Sequence, residues 1–215
     1  MKQNIDTILF DLDGTLVNTY ELILQSFLYT FHQFGFDELK REDCYKFIGP
    51  TLLESFSSVA PDKAEEMIHY YRTFNKKHHD KLVREFPGVL ETIDTLSRQG
   101  YKLGVVSTKV REMVFKALDK TNLTPYFPVV ITLDEVEKAK PDPEPLNKAM
   151  HLLGAKPEST LMVGDSYHDI LGAKNSGTGS VGVAWTIQGT DYLKKYNPDF
   201  LINDMRELLA IVGVK

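Results

Sequence analysis

The sequence predicts an α/β fold: a Rossmann-like doubly wound parallel sheet with one all-helical segment inserted into it. Three observations lead to this prediction. In the second half of the chain, short apolar runs alternate with helical patterns, as expected for buried parallel strands joined by helices. A further apolar run, residues 5–10, stands alone near the start and is predicted to be the first strand. Residues 17–82, which follow it, contain helical patterns but no strand candidate.

Glycine, proline and the spacing of apolar residues define the individual elements. The first helix of the insert is predicted to begin with Asn18 or Thr19 as its N-cap and to end at Gly35. Further helices of the insert are predicted at residues 41–47 and 52–59 and from residue 61 onwards. Beyond the insert, the predicted helices are residues 89–99, 110–120, 143–153, 167–176 and 205–212. The predicted strands there are residues 102–107, 129–132, 160–163, 181–184 and 200–202.

These elements divide the chain into two parts. Residues 1–16 and 83–215 are predicted to form the core, and residues 17–82 a helical cap domain. The cap is expected to hinge near Val17 and near residues 86–88, where a proline and a glycine interrupt the helical pattern.

The composition is that of an ordinary globular protein, with 215 residues, 42% apolar residues and a formal net charge of −5. The acidic balance and the lack of a long basic run argue against nucleic acid as a partner. Cys44 is the only cysteine, so no intramolecular disulfide can form and a reducing compartment is expected. No apolar run resembling a secretory signal precedes Asp11, and no stretch of about 20 apolar residues occurs. We therefore expect a cytoplasmic protein without a membrane segment.

Chemically active side chains follow several of the predicted strands at the point where each strand ends. In a doubly wound sheet the carboxyl ends of the strands meet at one edge, where ligands bind. Asp11 and Asp13 follow the first strand, and a lysine stands in the loop before the helix that leads to the fourth. The full set is Asp11, Asp13, Ser107, Thr108, Lys140, Asp165 and Asp169.

Several carboxylates at one partly buried point would repel one another strongly. A hard divalent cation removes this repulsion, and Mg²⁺ held by a few carboxylates together with substrate phosphate is the usual solution. The sequence therefore predicts a Mg²⁺ site formed by Asp11, Asp13, Asp165 and Asp169.

Each motif also has a simpler interpretation when it is taken alone. The Asp-x-Asp-Gly sequence that starts at Asp11 could be a turn or a calcium loop, although its spacing does not fit an EF-hand. Residues 164–166 could serve only as a helix N-cap. Lys140 could be a solvated lysine, and Ser107 an ordinary hydroxyl at a strand end. Their joint order, with the residues distributed over successive strand ends, favours a shared site.

Four segments resemble, in the same order, the four motifs of the haloacid dehalogenase superfamily. These segments are residues 11–15, 105–109, 140–143 and 163–169. The insert after the first motif resembles the C1-type cap of that family, and the resemblance covers essentially the whole chain. Members that are dehalogenases lack the second aspartate of the first motif, so Asp13 indicates a phosphohydrolase.

The resemblance implies a role for each residue of the motifs. Asp11 would be the nucleophile that forms an aspartyl-phosphate, and Asp13 the general acid and base. Ser107 would hydrogen-bond the transferred phosphoryl group, and Lys140 would offset its negative charge. Asp165 and Asp169 would bind Mg²⁺, with the carbonyl of Asp13 as a further ligand. Gly14, Thr15 and Thr108 are predicted to contact the substrate through their backbone.

Further segments resemble the bacterial inorganic pyrophosphatases of this family. They are residues 47–52, 74–80, 140–146 and 182–187. The resemblance implies pyrophosphate as the substrate and a functional link to the HPr kinase/phosphorylase, whose dephosphorylation of HPr produces pyrophosphate. The second phosphate would need cations beneath the cap. Arg72, Lys76, Lys77, His78 and His79 are candidates from the cap, with Lys109 from the core, and the alternative for residues 76–79 is a solvated helix face.

Alternatives to the pyrophosphatase assignment remain at this stage. The four motifs also fit a phosphoglycolate phosphatase or another small phosphomonoester phosphatase of the same superfamily, and more distantly a phosphosugar mutase. A non-enzymatic, receiver-like phospho-aspartate switch would also combine acidic residues, a hydroxyl and a lysine at strand ends. Asp13 argues against the switch, because it would provide the base that hydrolyses the intermediate.

Overall fold

The fold is described from a computed structural model, which covers residues 5–214. Residues 1–4 and 215, part of the predicted core and of the predicted signal-free N-terminus, lie outside the described residues. The strands are β1 (Thr7–Phe10), β2 (Val17–Asn18), β3 (Arg84–Glu85), β4 (Lys102–Val106), β5 (Val129–Ile131), β6 (Thr160–Gly164), β7 (Gly179–Val183) and β8 (Phe200–Ile202). Six of them form a parallel sheet with the order β5-β4-β1-β6-β7-β8.

The strand order creates a switch point between β1 and β6. From β1 the chain continues to β4 and β5 on one side, and it then returns to β6 on the other side. Loops that leave β1 and β6 therefore diverge above the sheet and open a crevice at its carboxyl edge. The predicted doubly wound sheet is confirmed. Its helices are α4 (Val89–Arg98), α5 (Arg111–Lys120), α6 (Glu144–Leu153), α7 (Tyr167–Ser176), α8 (Thr190–Lys194) and α9 (Glu207–Val212).

The central strand is buried on both faces, and every residue of β1 is inaccessible to solvent. Alternate side chains of a strand point to opposite faces of the sheet. Ile8 and Phe10 accordingly belong to one apolar cluster, which also contains Ile93. Leu9 belongs to another cluster, together with Leu146. The sheet is thus fixed from both sides, which gives the loops at its carboxyl edge a rigid base.

The insert has an apolar core of its own. Its elements are α1 (Tyr20–Gln33), a 3₁₀ helix (Glu42–Phe47), α2 (Leu52–Ser57), a 3₁₀ turn (Pro61–Lys63) and α3 (Ala64–Leu82). Phe27 is central, because its ring centroid lies 4.8 Å from that of Tyr71 and 5.3 Å from those of Phe47 and Phe56. This separate aromatic core supports the division of the chain into a cap domain, residues 17–82, and a core domain. The division itself stays a proposal.

Both connections between insert and core are strands. β2 and β3 form an antiparallel pair in which Val17 lies opposite Glu85 and Asn18 opposite Arg84. The prediction of an insert without any strand is therefore wrong at its first two residues, because a two-residue strand leaves no periodic pattern. Thr19 occupies the predicted N-cap position of α1, but its side chain makes no capping hydrogen bond.

Smaller differences from the predicted elements occur at the ends of helices and strands. β1 begins at Thr7 and α9 at Glu207, two residues later than predicted in each case. Helix α8 and several 3₁₀ turns were not predicted, because a single turn is too short for a helical period to appear. Within residues 5–214, no helix has the length and apolar character that crossing a membrane requires.

Candidate active site

The first predicted catalytic residue, Asp11, lies one residue beyond β1 at the carboxyl edge of the sheet. Its backbone N–H donates to the carbonyl of Val163 (2.9 Å), which continues the pairing of β1 with β6. Lys140 reaches the same point, and its Nζ donates to Asp11 Oδ1 (2.8 Å), Asp169 Oδ1 (2.7 Å) and the carbonyl of Val106 (2.6 Å). Lys140 is therefore a buried ammonium with all three of its protons engaged.

Three buried carboxylates lie beside this lysine. Asp11, Asp165 and Asp169 each offer an oxygen, and these oxygens lie within 4.8 Å of one another. Burial, opposed by Lys140 and reinforced by the neighbouring carboxylates, raises the pKa of Asp11 to about 7. Burial and the charges of Asp11 and Asp169 raise the pKa of Asp165 well above its usual range. A divalent cation would remove this cost, so the donor set fits a hard metal ion such as Mg²⁺.

Asp169 is fixed by a capping box at the start of α7. Its Oδ2 accepts from the backbone N–H (3.0 Å) and from the hydroxyl (2.8 Å) of Ser166. The helix N-cap interpretation of this segment is thus correct, and it coexists with the convergence of Asp165 and Asp169 on the cluster. The cap holds the carboxylate of Asp169 in one orientation, so that its other oxygen meets Lys140.

Asp13 is separate from the three-carboxylate cluster. Its Oδ1 accepts from Lys109 Nζ at 2.7 Å, and both side chains retain some exposure to the cavity. The carboxylate of Asp13 is therefore not placed as a metal ligand in this arrangement, whereas a role for its carbonyl stays a prediction. A carboxylate that lines the cavity outside the cluster is available for proton transfer to and from a bound substrate.

The two residues after Asp13 shape the loop. Gly14 has φ +81°, and a side chain there would collide with Asp165 Oδ2 and the Tyr20 hydroxyl. The amide of Gly14 donates to the carbonyl of Val17 (2.9 Å), and that of Thr15 to the carbonyl of Leu12 (3.3 Å). Both amides are engaged within the loop, so the prediction that their N–H groups face the substrate does not fit this geometry.

The second motif lines the opposite side of the crevice. Ser107 is buried beyond the end of β4, and its Oγ accepts from the amide of Lys109 at 3.2 Å. Thr108 lines the cavity, and its hydroxyl donates to the carbonyl of Gly49 in the insert (3.1 Å). This segment therefore contributes a hydroxyl, an ammonium and a direct contact between core and cap.

A cavity of about 150 Å³ lies between the sheet edge and the insert. The core side of its wall is mainly polar. The cap side is mainly apolar, with Arg72 and Asn75 of α3 as its charged and amide groups. Its apolar residues from the cap are Ile23, Phe27, Phe47, Ile48, Pro50, Leu52, Leu53, Ile68 and Tyr71.

The other predicted cap cations lie elsewhere. Lys76 is largely exposed, and its Nζ pairs with Glu112 of α5 at 2.5 Å. The His78 ring stacks on Phe74 with centroids 4.2 Å apart. His79 is fully buried, and its Nδ1 lies 3.0 Å from Asp80 Oδ1. Among the residues that the structure describes, neither these three side chains nor Lys77 lines the cavity. The face of α3 that bears Ile68, Arg72 and Asn75 is turned towards it, and His79 continues this face but is buried beyond the cavity.

Two residues of the site were not predicted. The Tyr20 hydroxyl donates to Asp165 Oδ2 at 2.6 Å, and no sequence motif indicates this contact. His168 lies in the fourth motif and lines the cavity with its ring buried. Burial lowers the pKa of His168 to about 4, so its ring is neutral at neutral pH. A side chain at Gly49 would meet His168 Nδ1 at 2.9 Å, so the glycine allows the cap loop to pass close to this ring.

Known proteins are similar to this chain in sequence and in fold. The profile of the haloacid dehalogenase-like hydrolases matches residues 8–183. The chain is 53% identical over 211 residues to pyrophosphatase PpaX of Anoxybacillus flavithermus, with 98% of each chain covered. It is 52% identical over 209 residues to the protein of the same name from Bacillus mycoides, with 97% of each covered.

A solved structure extends the comparison to the fold. A haloacid dehalogenase-like family hydrolase from Streptococcus pneumoniae superimposes with a TM-score of 0.86 at 27% identity, over 96% of this chain and 98% of that one. The receiver-like switch considered from the sequence is wrong, because the matching family consists of hydrolases. The resemblance of the four motifs is thereby confirmed, and the chain belongs to the haloacid dehalogenase-like hydrolase family.

Proposed function

We propose that this enzyme hydrolyses inorganic pyrophosphate to two phosphates through an aspartyl-phosphate on Asp11, with Mg²⁺ as cofactor. The observation that carries the chemistry is the convergence of Asp11, Asp165 and Asp169 on one buried point beside Lys140. The substrate is supported by relatives named pyrophosphatase that are about half identical over nearly the whole chain.

Asp11, Asp165 and Asp169, together with the carbonyl of Asp13, would hold the Mg²⁺ ion. When bound, the ion would neutralise charge on the carboxylates and on the substrate phosphates, which is its usual contribution in phosphoryl transfer. Lys140 adds a fixed positive charge and holds the carboxylate of Asp11 through Oδ1. Electrostatic repulsion between Asp11 and an anionic substrate is thereby offset before the reaction begins.

In the first half-reaction, a carboxylate oxygen of Asp11 forms a bond to one phosphorus, and the bond from that phosphorus to the bridging oxygen breaks. The bridging oxygen and its electron pair leave with the second phosphate, and Asp13 can supply a proton to it. Ser107, buried beyond the end of β4, would hydrogen-bond the transferred group, and the backbone of Thr108, which lines the cavity, would add a contact there. The Asp13 carboxylate stands outside the carboxylate cluster and lines the cavity, which suits it to serve the leaving group.

In the second half-reaction, water attacks the aspartyl-phosphate and Asp13 accepts a proton from it. The bond between phosphorus and the Asp11 oxygen then breaks, which restores the carboxylate and releases the transferred group as phosphate. Lys109, whose Nζ lies 2.7 Å from Asp13 Oδ1, can contact a substrate phosphate and return to Asp13 afterwards. The link to the HPr kinase/phosphorylase stays a prediction that rests on the resemblance.

The leaving group would lie on the cap side of the cavity. There Arg72 is the cation from the cap, among the described residues, and it replaces residues 76–79 as our candidate for binding the second phosphate. The volume of about 150 Å³ suits a small anion, and apolar side chains form much of the wall. Pyrophosphate presents charge at both ends, so Lys109 and Arg72 would bind it from opposite sides.

A substrate panel tests the proposal. The purified enzyme with Mg²⁺ is given pyrophosphate, phosphoglycolate and several small phosphomonoesters, and phosphate release is measured for each. We expect kcat/KM for pyrophosphate to exceed that for every ester. A higher kcat/KM for phosphoglycolate would overturn the substrate but leave the aspartyl-phosphate chemistry in place. Failure to release phosphate from any member would overturn the proposed reaction itself.

A further inference from the structure

Tyr20, the first residue of the cap helix α1, links the cap to the carboxylate cluster of the core. Its hydroxyl donates to Asp165 Oδ2 at 2.6 Å and lies 3.3 Å from the carbonyl of Gly14. The side chain is buried, and the absence of a side chain at Gly14 leaves the space that its hydroxyl occupies. This contact joins residues that are 145 positions apart in the chain.

The direction of this hydrogen bond follows from its two partners. The phenol of Tyr20 carries the proton and donates it, and an oxygen of the Asp165 carboxylate accepts it. Oδ2 of Asp165 is therefore occupied by a protein donor. Among the described residues, Oδ1 of Asp165 receives no hydrogen bond and is the oxygen available to a cation.

The ring of Tyr20, on the chain that follows β2, packs against a residue that follows the paired strand β3. Tyr20 follows β2 by two residues, and Phe86 follows β3 directly. Their ring centroids lie 6.2 Å apart in an edge-to-face arrangement, and Phe86 in turn packs on Trp185. With the ring fixed by both hinge strands and the core, the hydroxyl cannot turn away from Asp165 without disturbing this packing.

The two common divalent cations differ in what they require from a carboxylate. Mg²⁺ takes an octahedral set of single oxygens at short distance, whereas Ca²⁺ takes six to eight oxygens and often binds both oxygens of one carboxylate. We propose that Tyr20 is a positioning residue that restricts Asp165 to one-oxygen ligation and so makes the site favour Mg²⁺ over Ca²⁺. The inference rests on the metal site of the proposed function.

The matched variants are Tyr20→Phe and Tyr126→Phe. The first removes the hydroxyl on Asp165 and keeps the ring that packs on Phe86. The second removes a tyrosine hydroxyl that donates to an aspartate elsewhere, Asp94 Oδ1 at 3.2 Å. Metal-free protein is loaded with Mn²⁺, which is then displaced with Mg²⁺ or Ca²⁺ while free Mn²⁺ is followed by electron paramagnetic resonance. Thermal unfolding of each variant verifies the fold.

We expect the ratio of the Ca²⁺ to the Mg²⁺ dissociation constant to fall about tenfold in Tyr20→Phe, which is the lower end of the effect of one lost charge-assisted hydrogen bond. Tyr126→Phe should keep the parent ratio. An unchanged ratio in Tyr20→Phe, or an equal fall in both variants, would overturn the role of Tyr20 while leaving the metal site standing. Equal Mn²⁺ binding by the parent protein and by Asp165→Ala would instead overturn the site itself, and the inference with it.

Discussion

The two walls of the cavity are built on different principles. On the core wall, the charged groups are bound to one another, as in the contacts of Lys140 with Asp11 and Asp169 and of Lys109 with Asp13. On the cap wall, most side chains are aliphatic or aromatic, and Phe27 and Tyr71 also belong to the aromatic core of the insert. One wall is fixed by hydrogen bonds and the other by packing.

This difference separates two tasks. Charged groups that are already oriented need little reorganisation when charge shifts during phosphoryl transfer, so we expect the core wall to determine the reaction. An apolar wall excludes water and limits the size of what can enter, so we expect the cap wall to determine which leaving group is accepted. Changes in the core should therefore abolish turnover of all substrates, whereas changes in the cap should alter the preference among them.

The largest effect is expected from Asp11→Asn. An amide is a poor nucleophile, and the near-isosteric change keeps the contact with Lys140 possible. We expect kcat to fall by at least about 10³-fold for pyrophosphate and for any ester that the parent accepts, with the fold intact by circular dichroism. Activity within tenfold of the parent would show that another residue is the nucleophile. Phosphate-trapping by rapid acid quench should find no phosphoprotein in the variant.

An intermediate effect is expected from Arg72→Ala, with Lys76→Ala as the matched control on the same helix. Arg72 lines the cavity, whereas Lys76 pairs with Glu112 on the surface. Loss of one charge-assisted contact costs about 1.5–3 kcal/mol, so kcat/KM for pyrophosphate should fall about ten- to a hundredfold in Arg72→Ala. Steady-state kinetics with pyrophosphate and a small ester measure the preference.

The control fixes the interpretation of that result. Lys76→Ala should stay within about twofold of the parent, because an exposed ion pair contributes little. Equal losses for pyrophosphate and for the ester in Arg72→Ala would mean that the cap wall does not discriminate through this charge. A selective loss in Lys76→Ala alone would restore the original prediction that residues 76–79 face the substrate.

The smallest effect concerns pH and Mg²⁺. In the metal-free protein the pKa of Asp11 rises from 3.8 to about 7. Between these values the folded state holds a proton that the unfolded state has lost, so Asp11 makes stability fall as pH rises through this window. Mg²⁺ should offset the buried charge. We expect it to raise the unfolding temperature by a few degrees more at pH 8 than at pH 5.5.

His168 makes a comparison of Mg²⁺-dependent shifts necessary. The folded-state pKa of His168 is lowered to about 4, so its contribution to stability is lost as pH falls from about 6.5 towards 4. This slope is opposite to that of Asp11 and would obscure it in a single melting curve. Differential scanning fluorimetry with and without Mg²⁺ isolates the metal-dependent part. An Mg²⁺-induced shift that does not change with pH would contradict the linkage to Asp11.

The sequence allowed the core wall to be predicted more completely than the cap wall, for a physical reason. The positions of Asp11 and Asp165 follow from β1 and β6, because parallel neighbours align their carboxyl ends. Which face of α3 is turned towards the cavity depends on how the whole cap packs against the core, and the sequence of one helix does not determine this packing. Arg72 and residues 76–79 were therefore indistinguishable as candidates before the structure.

Two features had no local signal at all. The pairing of β2 with β3 involves two residues on each side, too few for alternation to appear. The contact of Tyr20 with Asp165 joins the cap helix to the fourth motif, and nothing in either segment alone indicates the partner. The capping box of Ser166 and Asp169, in contrast, is a local feature of the sequence. Residues 164–166 were accordingly considered as a helix N-cap before the structure was known.

The short β2–β3 ribbon also has a consequence for how the inserted segment can change in length during evolution. Val17 and Glu85 are direct neighbours, so the chain leaves the core and re-enters it at one point. The segment between β2 and β3 is therefore equivalent to a loop whose two ends are held together by this pairing. The entropy cost of closing a loop grows only slowly with its length. The core chain could therefore follow the same route whatever the length of the segment that joins β2 to β3. We expect the cap side of the cavity to be replaceable at this one junction while the carboxylate cluster of the core remains unchanged.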